Sequence, residues 1–175
     1  YTLLGSVLML VGIIVLYIVS TPHTFSIPDL IAQGQYFPLN IQIWVWLLIF
    51  IGAAIKIPIV PFHTWLPDAH VQAPTAGSVL LAGVLLKMGA YAFLRIAWPV
   101  LPLATKYFST FFLILGLINI IYGAFLALAQ TDFKKLVAYS SISHMGFVLL
   151  GMSSLTTTGI SGAVFQMFSH GILSA

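Results

Sequence analysis

The chain has 175 residues, of which 61% are hydrophobic and only 5% are charged, with a formal net charge of +3. A soluble domain carries about 25% charged residues, so this composition excludes a water-soluble globule. The apolar residues form runs of about 20, the length that crosses about 30 Å of hydrocarbon. These runs do not alternate between polar and apolar residues as the strands of a membrane barrel do. The sequence therefore predicts an all-α, polytopic transmembrane helical bundle.

Several kinds of chemistry are excluded by what the sequence lacks. It contains no cysteine, which rules out disulfides, thiolate chemistry, iron–sulfur clusters and cysteine zinc sites. Its cations are scattered and form no basic stripe, so we expect no nucleic acid partner. No phosphate-binding glycine loop and no nucleophile triad is present, and we expect this chain to bind no cofactor and no metal.

Six apolar runs predict transmembrane helices that belong to one domain. They cover residues 2–20, 41–65, 74–98, 108–129, 136–153 and 160–175, and the last run is still in progress at Ala175. The chain begins at Tyr1 without an initiator methionine, so we expect an internal fragment of a longer protein. The connections are short, which predicts that consecutive helices are antiparallel neighbours.

The second run contains two prolines, Pro58 and Pro61, close to its end. Each proline removes a backbone donor and clashes with the preceding turn of a helix. We therefore predict a broken helix near residues 58–61. Carbonyls freed by the break are tolerated at membrane depth only where they face protein or water, so the break should point inward.

Two lysines, Lys56 and Lys87, stand alone within long apolar runs. They lie about 15 and 13 residues into their helices, which at 1.5 Å per residue is about 20 Å deep. A cation at that depth costs roughly 2.5–3.5 kcal/mol on insertion scales, so such a residue is a functional hypothesis by default. The alternative is that a buried lysine is a static partner for a carboxylate outside this fragment.

Two histidines, His144 and His170, lie near the middle of the fifth and sixth runs. With the lysines they place one titratable group in each of four spans, and such groups can accept and release protons near neutral pH. This pattern predicts a proton relay of Lys56, Lys87, His144 and His170. The competing interpretation is that each histidine only bonds a neighbouring helix.

The segment HTWLPDAH could suggest a metal site, because His63, Asp68 and His70 fall close together in it. Its candidate ligands would lie on both sides of Pro67 and include neither cysteine nor glutamate, so the sequence favours a loop that satisfies the end of a broken helix. His63 is then a possible point of proton entry or relay.

Two long motifs resemble a known family. The segments IKIPIVPFHTWLPDAHVQAPTAGSVLLAGVLLKMGAYAFLR and AQTDFKKLVAYSSISHMGFVLLGM are similar to the antiporter-like subunits of complex I, the proton-pumping NADH:quinone oxidoreductase, and most of all to the chain M (subunit 4) type. Related subunits occur in Mrp-type cation/proton antiporters and membrane-bound hydrogenases. The resemblance covers nearly everything from Ile41 onward.

The resemblance implies an inverted-repeat fold and a role for each buried cation. Lys56 is similar to the pumping lysine of the broken seventh helix, and Lys87 to the connecting lysine of the eighth. His144 and His170 look like links toward a second half-channel. The family pairs the Lys56 position with a glutamate, and this chain has none; that helix would precede Tyr1. LPDAH and QTDFKK would face the cytoplasm or its equivalent.

The resemblance implies proton translocation by a membrane subunit of a redox-driven enzyme, without redox chemistry in this chain. NADH, FMN, iron–sulfur clusters and quinone would belong to other subunits. The expected partners are homologous antiporter-like chains, the lipid bilayer and protons, in the bacterial inner membrane or an organellar equivalent. The alternatives are a subunit of an Mrp-type monovalent cation/proton antiporter and a passive membrane anchor of a hydrogenase-like complex.

Overall fold

The computed structural model describes residues 1–174, and within that range every regular element is a helix. Long apolar runs favour helices in a membrane because each backbone group can then be satisfied within its own segment. The elements are α1 Thr2–Val19, α2 Ile27–Gln33, α3 Leu39–Lys56, α4 Trp65–Gln72, α5 Thr75–Val100, α6 Pro102–Leu128, α7 Phe133–Ser153 and α8 Thr157–Ser174.

Five of these helices are long and apolar enough to cross a membrane, namely α1, α3, α5, α6 and α7. The all-α transmembrane fold is therefore confirmed. The sixth predicted span corresponds to α8, which is not among the five because its serine, threonine, glutamine and histidine residues lower its hydropathy. The last predicted residue of that span, Ala175, lies outside the described residues.

The predicted break in the second span is confirmed. Helix α3 ends at Lys56, and α4 begins only at Trp65. The intervening residues 57–64 include both prolines and form turns, one of which is closed by the Phe62 N–H, which donates to the Ile59 carbonyl at 2.6 Å. Proline cannot donate a backbone hydrogen bond, so two prolines three residues apart end the helix where the sequence predicts.

Helix α5 contains two features that the sequence did not predict. Its turns at Leu81–Leu85 and Phe93–Ala97 are π-helical, one on each side of Lys87. Such wide single turns are rare and occur frequently at functional sites. They bring an extra residue into the turn and so change the direction in which the following side chains point.

The chain divides into two compact units, and the first comprises Tyr1–Ile55 and Gly89–Phe108. Its core is aromatic: Trp46 is fully buried, stacks on the Phe108 ring at 4.4 Å and meets the edge of Phe93 at 5.2 Å. Buried Gln42 accepts the Leu103 N–H at 3.1 Å. This bond satisfies one of the donors that the start of α6 leaves without an intrahelical partner.

The second unit comprises Lys56–Met88 and the chain from Ser109 onward. Its core includes Leu66, Leu86 and Ile142, none of which is exposed. Helices α6 and α7 approach closely at two glycines, since a Cβ atom on Gly146 would lie 2.7 Å from the Gly116 carbonyl oxygen. The four predicted relay residues, Lys56, Lys87, His144 and His170, all belong to this unit. The assignment of all the spans to one domain stays a prediction.

Candidate functional site

The ammonium of Lys87 is the centre of the candidate site. It donates to the carbonyl of Ala82, in the π-helical turn that precedes it, and it lies 2.6 Å from Nδ1 of His170 on α8. Because a lysine ammonium is only a donor, Nδ1 is the acceptor and the neutral imidazole carries its hydrogen on Nε2. A separation of 2.6 Å is short enough for direct proton transfer between the two groups.

Small residues allow α8 to come this close to α5. A Cβ atom on Gly171, the residue after the histidine, would lie 3.3 Å from the carbonyl oxygen of Gly83 and 3.8 Å from Cε of Lys87. A larger side chain would therefore fill the space along the lysine stem. Gly83 belongs to α5, and small residues at a helix–helix contact are common in membranes.

His170 connects to His144 on the neighbouring helix α7. Their ring centroids are 5.4 Å apart, and Nδ1 of His144 lies 3.2 Å from Nε2 of Gln166, one turn before His170 on α8. His170 is nearly fully buried, while the side chain of His144 is exposed in this chain. Lys87, His170 and His144 thus form one continuous cluster.

A polar cavity of about 220 Å³ lies beside this cluster. Its lining consists of Val137, Ser140, His144, Gln166, Ser169, His170, Leu173 and Ser174. One water occupies about 30 Å³ of liquid, so the cavity has room for several waters. Water in it can carry protons across gaps that the side chains do not close.

A second cavity, of about 300 Å³, extends from the same helices toward the end of α4. It shares Val137, Leu173 and Ser174 with the first and reaches His70 and Lys134. His70 lies outside the membrane spans, and burial, followed by the charge of Lys134, lowers its pKa below the usual value. His70 is therefore neutral at pH 7 and can donate or accept a hydrogen bond at this end of the cavities.

Lys56 lies outside the cluster. It is half-buried and occupies the last position of α3, where the partial negative charge of the helix C-terminus favours a cation. His63 is buried within the break, and its ring meets the ring of Tyr122 edge-on at 5.4 Å. The structure therefore brings together three of the four predicted relay residues. The relay roles themselves stay predictions.

Three polar residues near the predicted ones were missed by sequence analysis. Gln166 and Ser174 lie four residues before and after His170, which places all three on one face of α8; this spacing was an available signal. Asn119 on α6 is fully buried and bonds to the break, and no pattern around it points to that contact. Within residues 1–174, no three histidine or acidic side chains are grouped as metal ligands.

A proline-broken helix and a cluster of one lysine and two histidines, in an all-helical membrane fold, are typical of the class of transporter-like polytopic membrane subunits. The chain belongs to the NADH:quinone oxidoreductase/Mrp antiporter transmembrane family, whose model matches residues 1–175. The resemblance seen in the sequence motifs is therefore confirmed.

The chain is 55% identical, over all of its 175 residues, to the NADH-quinone oxidoreductase subunit M of Rickettsia bellii, and covers 35% of that protein. Its fold is similar to a chain of respiratory complex I from Thermus thermophilus, with 33% identity and a TM-score of 0.80, over 99% of this chain and 39% of that one. It is also similar to a chain of the Mrp complex from Dietzia sp., with a TM-score of 0.87 at 24% identity, over 99% of this chain and 32% of that one. The chain spans about a third of the length of these relatives.

Proposed function

We propose that this chain carries the central part of a proton path in a membrane subunit of a proton-pumping NADH:quinone oxidoreductase. The observation that carries the proposal is the 2.6 Å contact between Lys87 Nζ and His170 Nδ1. A protonated lysine can pass its proton to Nδ1 of the neutral imidazole, and the ring then gives up the proton on Nε2. Nε2 is buried without a hydrogen-bond partner among the described residues, so release toward His144 and the polar cavity needs a water molecule as the acceptor. In this proposal Lys56 passes protons to Lys87 through water that lies between the two side chains.

The electron-transfer chemistry belongs elsewhere in this proposal. NADH, FMN, iron–sulfur clusters and quinone bind to other subunits, and the redox reaction changes the electrostatic surroundings of Lys56. The partners of the chain are those subunits and homologous antiporter-like chains in a bacterial inner membrane or its organellar equivalent. The names of the similar proteins support this assignment.

The experiment that tests the proposal replaces each lysine in the intact complex. We expect Lys56→Ala and Lys87→Ala to lower the number of protons pumped per electron in inverted membrane vesicles, with the complex still assembled. Lys135→Ala is the matched control, because it removes the same charge at the start of α7, away from the cluster. A wild-type ratio in either alanine variant would show that the lysine has no relay role.

A monovalent cation/proton antiporter subunit is the second candidate, because the family that contains this chain includes Mrp antiporters. The same vesicles separate the two functions. Proton movement that requires NADH oxidation and is unchanged by sodium supports the oxidoreductase, whereas proton movement driven by a sodium gradient without NADH supports the antiporter.

A further inference from the structure

The break between α3 and α4 leaves backbone polar groups without helical partners. Pro58 and Pro61 have no N–H, and the carbonyl of Pro58 and the N–H of Val60 lie outside any helix. The side chains of Ile57 and Ile59, which flank Pro58, are 0% and 1% exposed, so the surroundings are apolar. An unpaired backbone group in such a place costs roughly 1–3 kcal/mol.

A single side chain satisfies both groups. The carboxamide of Asn119 on α6 accepts the Val60 N–H through Oδ1 at 2.9 Å and donates through Nδ2 to the Pro58 carbonyl at 3.3 Å. The two partners fix the orientation of the amide, since only its oxygen can accept and only its nitrogen can donate. Asn119 thus takes the place of the peptide group that a continuous helix would supply.

Asn119 needs the break as much as the break needs Asn119. Asn119 is 0% exposed in the middle of the apolar helix α6, where an unpaired carboxamide would itself be costly. Its two bonds reach the second and fourth residues after Lys56. They hold the end of α3 at the lysine, the position where the partial charge of the helix C-terminus favours a cation.

We propose that Asn119 is a positioning residue for proton transfer, which fixes the helix break and with it the ammonium of Lys56. This inference rests on the proposed function of Lys56. The carboxamide touches no proton on the path. It acts by holding Pro58 and Val60 in one arrangement, so that α3 neither extends past Lys56 nor unwinds before it.

The contact itself is tested by hydrogen exchange in the intact complex. We expect Asn119→Leu to accelerate exchange at the Val60 amide about fivefold, because one net hydrogen bond corresponds to roughly that factor. Asn119→Asp keeps an acceptor for this amide, and its protonated carboxyl can still donate to the Pro58 carbonyl, so exchange at Val60 should stay close to that of the wild type. Thr105→Val is the matched control. Thr105 is also a buried residue of α6, and its hydroxyl donates to the carbonyl of Ala97 on α5, away from the break.

The consequence for transport is tested in the same preparations. We expect Asn119→Leu to lower the number of protons pumped per electron per assembled complex, and Asn119→Asp to restore part of it. Thr105→Val should keep the wild-type ratio. The ratio reports coupling rather than the amount of folded protein, so a merely structural role for Asn119 would reduce assembly and leave it unchanged.

The outcomes separate this inference from the proposed function. Suppose that Asn119→Leu accelerates exchange at Val60 but pumps at the wild-type ratio, and that Lys56→Ala pumps below it. The positioning role of Asn119 is then wrong and the relay stands. If Lys56→Ala pumps at the wild-type ratio, the relay fails first. Unchanged exchange at Val60 in Asn119→Leu would disprove the contact.

Discussion

At the scale of single residues, Gln166 ties the orientation of a side-chain amide to the protonation of a histidine. Its Nε2 lies 3.2 Å from Nδ1 of His144, so in the neutral ring Nδ1 accepts and the hydrogen is on Nε2 of the imidazole. When the ring gains a second proton, Nδ1 becomes a donor. The amide then has to turn and present its oxygen.

We expect Gln166→Leu to slow proton pumping by roughly fivefold, the factor that corresponds to about 1 kcal/mol for one hydrogen bond. The loss should be smaller than that of Lys87→Ala, because Gln166→Leu leaves Lys87 and both histidines in place. The measurement is the initial rate of proton uptake by inverted vesicles. Gln130→Leu is the control, since the side-chain amide of Gln130 donates to the Leu126 carbonyl at the end of α6, away from the cluster; equal effects of the two variants would contradict the assignment.

At the scale of helices, α6 and α7 touch backbone to backbone. A Cβ atom on Gly146 would lie 2.7 Å from the Gly116 carbonyl oxygen and 2.9 Å from the Ile120 nitrogen. The hydroxyl of Ser143, one turn earlier, donates to the Ile120 carbonyl at 3.0 Å. Close approach of small residues joined by a side-chain hydrogen bond is a common way for membrane helices to associate.

We expect Gly146→Ala to destabilise the protein by about 1–3 kcal/mol, since an added methyl group with no room forces the helices apart. Gly162→Ala on α8 is the matched control, because a Cβ atom there has nothing within 4 Å. Thermal unfolding of the detergent-solubilised complex measures the difference. A similar decrease in both variants would mean that the helix crossing is not what limits stability.

At the scale of the whole molecule, five spans joined in series place alternate connections on opposite sides of the membrane. The turns after α4 and α6 should share one side. A contact within the second unit agrees with this. Ala73 follows α4 and Lys134 lies in the first turn of α7, just after the turn that follows α6, and Nζ of Lys134 donates to the Ala73 carbonyl at 3.4 Å. We expect this side to be the cytoplasm or its equivalent, as the resemblance to the family implies.

These 175 residues contain no cysteine, so a cysteine introduced among them is the only thiol that this segment offers to a label. We expect single cysteines at Gln72 and Thr131 to react with a membrane-impermeant maleimide from one side, and cysteines at Thr24 and Thr156 to react only from the other. Intact cells or organelles and inverted vesicles give the two sides. Labelling of Thr131→Cys and Thr156→Cys from the same side would contradict the passage of α7 through the membrane.

Much of the fold could be predicted from the sequence because membrane insertion leaves few options. Apolar runs of about 20 residues predicted the helices, and Pro58 and Pro61 predicted the break. Helix α2 was missed because it is seven residues long and lies in a polar connection, although Pro28 in its first turn is a typical start signal. The π-helical turns of α5 have no composition of their own and arise from packing.

The candidate site was predicted less completely than the fold. Lys87, His144 and His170 stand out because titratable groups are costly in an apolar run. Asn119 and Gln166 are uncharged, and their roles depend on how neighbouring helices are rotated and shifted. Single-sequence periodicity contains no information about that rotation. The sequence predicts that Lys56 belongs to the same relay as these three residues. In the structure Lys56 is the last residue of α3, and the break that follows it is bonded by Asn119 of α6.

Asn119 and Ile120 are consecutive residues of α6, and through them α6 is hydrogen-bonded both to the break and to α7. The first bonds to the break that follows Lys56, and the second is bonded by Ser143, the residue before His144. One peptide unit therefore separates the attachment of the break from the attachment of the histidine helix. A displacement of the break therefore has to bend α6 or move α7 with it. We expect that loosening either attachment changes the positions of both Lys56 and His144 in the proposed proton path.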